Sequence, residues 1–182
     1  MSKGRLFVIS GASGVGKSTV LKRVLDSKEN ITFSVSATTR APREGEQDGV
    51  NYYFVSHETF RQMIENGEFV EYDDHMKNYY GTPRRQLDEK LEKGDVILDI
   101  EPVGAFNVQA QCPEAVLIFI APPSYEELER RLRSRGDTPE DQIQVRLERA
   151  RWEMEQSQKY DYIVINDQVE ACAAKLLEII EK

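Results

Sequence analysis

The sequence predicts an α/β fold: a parallel five-stranded core sheet flanked by helices, with a small mixed segment and a helical lid inserted into it. Three observations predict this. Short apolar runs alternate with helical stretches, as in a parallel sheet covered on both faces. The first run leads into Gly11-Ala12-Ser13-Gly14-Val15-Gly16-Lys17-Ser18, which fits the phosphate-loop spacing G-x-x-x-x-G-K-[ST] without a mismatch. Two stretches break the alternation, about 37–92 with short half-polar strands and about 126–158, helical and charged. These are the expected substrate segment and lid, leaving 1–36, 93–125 and 159–182 as the core of a single domain.

In order, Arg5–Ser10 reads as a buried strand, and Val20, Leu21, Val24 and Leu25 recur at helical spacing over Thr19–Asp26. Ile31–Val35 is a second strand, opening into a polar loop, 36–46, punctuated by Pro42 and Gly45. Tyr52–Val55 is a short strand, and Ser56 caps a helix that stops near Asn66-Gly67. Phe69–Tyr72 is a strand followed by a loop over His75–Gly81. Thr82 as cap and Pro83 at the first position start a helix ending at Gly94. Asp95–Ile100 is an apolar strand, about Pro102–Gln111 a helix, and Ala115–Ile120 a buried strand. Ser124-Tyr125-Glu126-Glu127 is a capping box opening a helix to Arg135, stopped by Gly136. Thr138-Pro139 starts a helix to about Gln158, Tyr162–Ile165 is the last strand and Val169–Ile180 the last helix.

With 182 residues, 40% hydrophobic and 31% charged, the chain can bury a sizeable core. A formal net charge of −8 argues against nucleic acid or an anionic membrane as the main partner, but not against small phosphorylated ligands. Cys112 and Cys172 lie far apart, with only His57 and His75 to join them, so they read as reduced core thiols of a cytoplasmic protein. Nothing in the sequence distinguishes a monomer from a homo-oligomer.

The loop, Gly11 to Ser18 with Thr19, implies a bound nucleoside triphosphate. Glycines let the backbone wrap a phosphate so that N–H groups and a helix N-terminus face anionic oxygens. Lys17 reaches the β- and γ-phosphates, and the Ser18 hydroxyl takes a Mg²⁺ position. Asp99 ends an apolar strand, where a carboxylate can reach that Mg²⁺ through water; Glu101, two residues on, faces the same side if the strand persists. For each of these acids a solvated strand end is the plain alternative.

Seven of the 14 arginines fall between Arg130 and Arg151, and no lysine lies between Lys93 and Lys159. Arginine suits planar, multidentate contact with phosphate oxygens. Arg135 and Arg146, on either side of the Gly136 turn, are the choices for phosphate, while Glu127, Glu129, Glu148 and Glu153 can pair with others on a solvated face. The D-x-x-G and N-K-x-D patterns of GTP switches are absent. So is an obvious catalytic base, which a phosphate monoester acceptor does not need, being mostly dianionic at pH 7. Arg40 and Arg43, in the loop after a core strand, suit that incoming phosphate, and Tyr52 and Tyr80 can add hydroxyls, with plain packing as their alternative.

Ser36-Ala37-Thr38-Thr39-Arg40-Ala41-Pro42-Arg43-Glu44-Gly45-Glu46, then Gly49, Tyr52 and Phe54, Glu71-Tyr72, Asn78-Tyr79-Tyr80-Gly81-Thr82 and Ile165-Asn166-Asp167 together resemble guanylate kinase, in order over nearly the whole chain. The resemblance implies transfer of the γ-phosphoryl of ATP to GMP, with Mg²⁺ as cofactor and mobile GMP-binding and lid segments. It implies that Arg40, Arg43, Tyr52 and Tyr80 hold the GMP phosphate and that Ser36, Glu71, Thr82 and Glu101 read guanine. Lys17, Arg40, Arg135 and Arg146 then act on the transferring group, and Asn166 lines the adenine side. Base chemistry supports the guanine part: N1–H and N2–H₂ donate to one carboxylate, where adenine presents an N1 acceptor. The departures are Ala12 for a common Pro, Asn51 for a frequent Asp, Pro102-Val103 after the acidic pair, and His75-Met76-Lys77. Two other readings are a kinase for a different nucleoside monophosphate and a non-catalytic phosphopeptide-binding module of the same fold.

Overall fold

The chain runs β1 (Leu6–Gly11), α1 (Lys17–Asp26), β2 (Ile31–Phe33), β3 (Ala37–Thr38), β4 (Tyr53–Phe54), α2 (His57–Glu65), β5 (Phe69–His75) and β6 (Asn78–Pro83). It continues α3 (Arg84–Leu91), β7 (Asp95–Asp99), α4 (Pro102–Gln111), β8 (Val116–Ala121), α5 (Tyr125–Ser134), α6 (Glu140–Gln156), a 3₁₀ turn at Ser157–Lys159, β9 (Tyr162–Ile165) and α7 (Val169–Ile180). The computed structural model describes residues 3–28, 30–75, 77–134 and 139–182, apart from the His75 side chain. Five parallel strands in the order β2-β7-β1-β8-β9 form one sheet, and β4-β3-β6-β5 form a second, mixed one. By contacts the chain packs as two compact units, Met1–Phe7 with Asn30–Ala115 and Val8–Glu29 with Val116–Lys182.

In the first unit, β2 pairs parallel with β7, Ile31 opposite Asp95 and Phe33 opposite Ile97. Asp95 is the polar end of that strand, and its Oδ1 accepts from the Arg5 backbone N–H at 2.8 Å. In the mixed sheet β3 runs parallel to β4 and antiparallel to β6, which runs antiparallel to β5. Its core is Ala37, Phe60 and Phe69, with Phe60 stacked on Phe69 at 4.4 Å and on Tyr79 at 5.3 Å between ring centres. Helix α2 brings Phe60 there. Ser56 caps it, accepting from the Thr59 N–H at 3.0 Å, and Gly67 turns the chain away with φ 67°.

In the second unit, β8 and β9 pair parallel, and Leu117 to Ile120 are fully buried. Helices α1 and α7 pack together, burying Val20, Leu21 and Val24 of one and Cys172, Ala173 and Leu176 of the other. Cys172 is therefore a core thiol, whereas Cys112 is only half-buried at the end of α4. Among the described residues no helix is long and apolar enough to cross a membrane.

Three local expectations are corrected. The polar loop after β2 contains β3, because Ala37 and Thr38 find partners in β4 and β6. The loop expected over 75–81 is mostly strand β6, since Asn78 to Gly81 pair with β5, and Lys77 just before it takes φ 67°. Thr82 and Pro83 end that strand rather than start a helix, and α3 begins at Arg84. Half-polar strands carry little periodicity of their own, so the pairing partner decides them. The capping box at α5 is also half made. The Glu127 N–H donates to Ser124 Oγ at 3.1 Å, while the Glu127 carboxylate accepts from Arg130 and Arg131 instead. Arg135, Gly136, Thr138 and Met76 lie outside the described residues.

Candidate active site

The two halves of the expected chemistry fall one in each unit. In the second unit, β1 ends at Gly11 and the loop turns back on itself, Val15 N–H donating to Ala12 O at 2.9 Å. Gly14 and Gly16 take φ of 87° and 90°, a region that L side chains rarely adopt. A Cβ at Gly14 would also lie 2.5 Å from Leu132 Cδ2. Gly16 caps α1, whose first turn has no acidic residue and no side-chain cap. The positive end of the helix dipole is thus left for an anion. Lys17 is half-buried at that end and Ser18 is exposed.

Two residues far along the chain brace this loop. Asn166, 3% exposed just after β9, donates from Nδ2 to Val15 O at 2.8 Å, and its backbone N–H donates to Ala121 O at 2.8 Å. Its Oδ1 is buried with no hydrogen-bond partner among the described residues, an acceptor awaiting a donor. Arg131 donates to the Asn166 and Asp167 carbonyls, at 2.8 and 3.3 Å, while held by Glu127. On the other side of the loop, the Glu153 carboxylate of α6 accepts from the Ser13 backbone N–H at 2.7 Å.

The arginine cluster divides by partner. Arg130 and Arg131 bond Glu127, Arg133 bonds Glu129 and Glu140, and Arg149 bonds Glu153. Arg151 lies over the Tyr125 ring, 4.9 Å from its centre. Arg146 is half-buried on α6 and makes no ion pair among the described residues. The other expected phosphate arginine, Arg135, is outside the described residues.

In the first unit, Arg40 is gripped by Glu46 through both terminal nitrogens, at 3.0 and 2.9 Å, and bonds the Ala41 carbonyl at 2.7 Å. Its guanidinium lies over the Tyr52 and Phe54 rings, 5.4 and 5.8 Å from their centres. The bond to Glu46 is the main reason its pKa is raised; reciprocally, Arg40 and then the Arg43 N–H hold the Glu46 carboxyl below its usual range. The same carboxylate accepts from the Arg43 backbone N–H at 2.7 Å, so Glu46 ties the loop backbone to the Arg40 side chain. Tyr52 and Tyr80 meet edge to face at 6.0 Å, and burial above all raises the Tyr52 hydroxyl pKa. Arg40, Tyr52 and Tyr80 therefore gather as one donor group, with the Arg43 side chain exposed on the same loop. Asn51 keeps the turn before Tyr52, its Oδ1 accepting from the Gln47 N–H at 2.9 Å.

The second cluster of this unit is Glu71 with Thr82. Glu71 is 7% exposed on β5, and Thr82, fully buried on β6, donates its hydroxyl to Glu71 Oε1 at 2.6 Å. Burial pushes the Glu71 carboxyl up to about 7, against the Thr82 hydrogen bond and helped by the charge of Asp73. Glu71 Oε2 lies against Gly104 of α4, where an added Cβ would be 3.0 Å away. Ser36 is half-buried, its carbonyl accepting from the Tyr53 N–H at 2.9 Å. Glu101 and Asp99 are exposed, Asp99 at the end of β7 and Glu101 at the cap of α4. Pro102 fits the first helical position, so Pro102-Val103 leaves α4 intact.

Three residues of these clusters escape a reading of the sequence as sites: Glu46, Glu153 and Gly104. The signal for Glu46 is its place three residues after Arg43 in a Pro- and Gly-punctuated loop. Glu153 reads only as an arginine partner, and nothing local marks Gly104.

Comparison with known proteins identifies the family. The family model described as "Guanylate kinase" matches residues 3–182. A guanylate kinase of Synechococcus sp. (strain JA-3-3Ab) is 48% identical over 96% of this chain and 81% of its own length. One from Clostridioides difficile (strain 630) is 48% identical over 99% of this chain and 88% of its own. The crystal structure of guanylate kinase from Anaplasma phagocytophilum superposes with a TM-score of 0.79 at 37% identity, covering 99% of this chain and 86% of that one. A shikimate kinase from Bacteroides thetaiotaomicron, at TM-score 0.52 and 18% identity, shares the fold alone.

Proposed function

The chain belongs to the guanylate kinase family and transfers the γ-phosphoryl group of ATP to GMP, and we propose that the clusters just described divide that reaction between them. The observation that carries the assignment of the acceptor is the buried Glu71 carboxylate with its Thr82 hydroxyl. An ionised carboxylate there accepts from guanine N1–H and N2–H₂ together, and Ser36 and Glu101 complete the reading of the base.

Arg40, Arg43, Tyr52 and Tyr80 hold the GMP phosphate. The support is the Arg40 guanidinium, held by Glu46, beside the Tyr52 and Tyr80 rings. The loop from Gly11 to Ser18, with Thr19, wraps the ATP phosphates, supported by the uncapped positive end of α1. Asn166 lines the adenine side, supported by its hold on the Val15 carbonyl of the loop. A GMP phosphate oxygen then attacks the γ-phosphorus while the bond to the β–γ bridging oxygen breaks, leaving ADP and GDP. Lys17, Arg40, Arg135 and Arg146 neutralise the charge on the transferring group.

Mg²⁺ fits the donors present. The exposed Ser18 hydroxyl on the first turn of α1 and the exposed Asp99 carboxylate at the end of β7 are oxygen donors of the kind Mg²⁺ takes. Ser18 would hold it directly and Asp99 through water, and the ion would screen the phosphate charge. Segments 37–92 and 126–158 close over the substrates, and the reaction runs in the cytoplasm, where Cys112 and Cys172 stay thiols.

The test is an ADP-release assay at fixed ATP with GMP, AMP, CMP and UMP in turn. GMP should be turned over far faster than the others. Equal rates on AMP and GMP would remove Glu71 and Thr82 from base recognition.

A further inference from the structure

Buried carboxylates are costly unless their oxygens are satisfied, and one in this molecule lies against the nucleotide loop. Glu153 is 3% exposed and sits on the inward face of α6 with Ile143, Leu147 and Ala150. Oε2 accepts from the Ser13 backbone N–H at 2.7 Å, and Oε1 accepts from Arg149 Nε at 3.0 Å. An apolar side chain would fill this place without a desolvation penalty, so the carboxylate needs a reason beyond packing.

Ser13 stands at the crest of the loop, before Gly14 with its φ of 87°. Asn166 holds the same crest by the Val15 carbonyl. One brace therefore accepts from the loop backbone and the other donates to it, from two different elements. Together they select one backbone path. Residues 146, 149, 150 and 153 also share one helix face by their spacing of three and four. Through that face Glu153 sets where α6, and with it Arg146, stands relative to the loop. Arg149 supplies the countercharge that lets an anion remain beside a loop meant for phosphates.

We propose that Glu153 is a positioning residue for ATP: its carboxylate, clamped by Arg149, holds the Ser13 N–H so that the loop is preformed for the triphosphate. This deepens the assignment of the loop to ATP and rests on it.

The test compares Glu153→Gln and Arg149→Gln with wild type in steady-state assays varying ATP and GMP separately. Titration with a fluorescent ATP analogue in the absence of GMP and thermal melting accompany them. Glu153→Gln keeps the shape and an acceptor but loses the charge, so KM for ATP and the analogue Kd should rise about tenfold, while KM for GMP changes less than about twofold. Arg149→Gln leaves the carboxylate in place but loosened, and KM for ATP should rise about threefold in the same selective way. Unchanged ATP affinity in both folded variants overturns the proposal, and so does a parallel loss for ATP and GMP that follows a lowered Tm. If Glu153→Gln does not fold, Arg149→Gln decides alone: a selective rise supports the role, no rise overturns it. Wild type lacking ATP-dependent GMP phosphorylation would instead overturn the functional assignment, so the two failures are distinguishable.

Discussion

Thr82 and Glu71 meet on neighbouring strands β6 and β5, hydroxyl to carboxylate at 2.6 Å, both buried. One Glu71 oxygen is thereby oriented, and the other lies against Gly104. The pair is a donor–acceptor edge built before any base arrives, and three expectations rest on it.

Glu71→Gln keeps the size but puts an NH₂ where an acceptor oxygen faced guanine donors. Charge-assisted bonds worth ~1.5–3 kcal/mol each are lost or inverted, so kcat/KM for GMP should fall about 10²-fold or more. AMP should not suffer that loss, because its N1 accepts from the new amide. The measurement is kcat/KM for both nucleotides on both proteins, and an unchanged ratio removes Glu71 from the site.

The raised Glu71 pKa of about 7 gives two pH effects of known sign. Only the ionised carboxylate accepts N1–H and N2–H₂ together, because protonation turns one oxygen into a donor; below about pH 7 KM for GMP should therefore rise toward tenfold per pH unit, and Glu71→Gln should lack that rise. The GMP phosphate also titrates near pH 6. It does so equally for both proteins, so the ratio of wild type to mutant isolates Glu71. For stability, the folded state binds a proton that the unfolded chain, with its ordinary value of 4.5, gives up earlier. Stability is therefore lost as pH rises from about 4.5 through about 7, and Glu71→Gln should gain more in Tm at pH 8 than at pH 5.

Gly104→Ala places a methyl 3.0 Å from Glu71 Oε2 and 3.2 Å from Ile100 Cδ1. Something must give, and the carboxylate is the mobile partner. KM for GMP should rise several-fold, on the order of 1 kcal/mol of lost binding, with KM for ATP unchanged. Equal effects on both substrates, or none, would show that the contact does not set the carboxylate position.

Lys17→Met should lower kcat by about 10²-fold or more with the fold retained, since the lost charge acts on the transferring phosphoryl. Circular dichroism checks the fold and single-turnover kinetics the chemical step. A mutant keeping most of its kcat would contradict the role.

The closure proposed for segments 37–92 and 126–158 would direct transfer to GMP rather than to water. Small-angle scattering with an ATP analogue plus GMP should give a smaller radius of gyration than the free protein. An unchanged radius in a fully active preparation would count against closure.

The alternating apolar strands, the phosphate loop and the helix that follows it are legible in the order of residues alone. Each depends on short-range spacing: glycines where φ is positive, a lysine and serine at the head of α1, and Pro102 to Gln111 as α4 at the expected bounds. The motif residues Arg40, Glu71, Tyr80 and Thr82 were legible too, because they lie in stretches distinctive enough to resemble a family. The partners that backbone groups and carboxylates find are a matter of packing. Strand β6 replaced an expected loop because β5 and β3 were there to pair with it. Thr82 capped no helix because Glu71 stood across the strand pair. Glu153, one more partner for an arginine by spacing, reached Ser13 140 positions away. Periodicity reports which face a residue takes on its own element; which distant backbone group meets that face is set by packing, and it leaves no local trace.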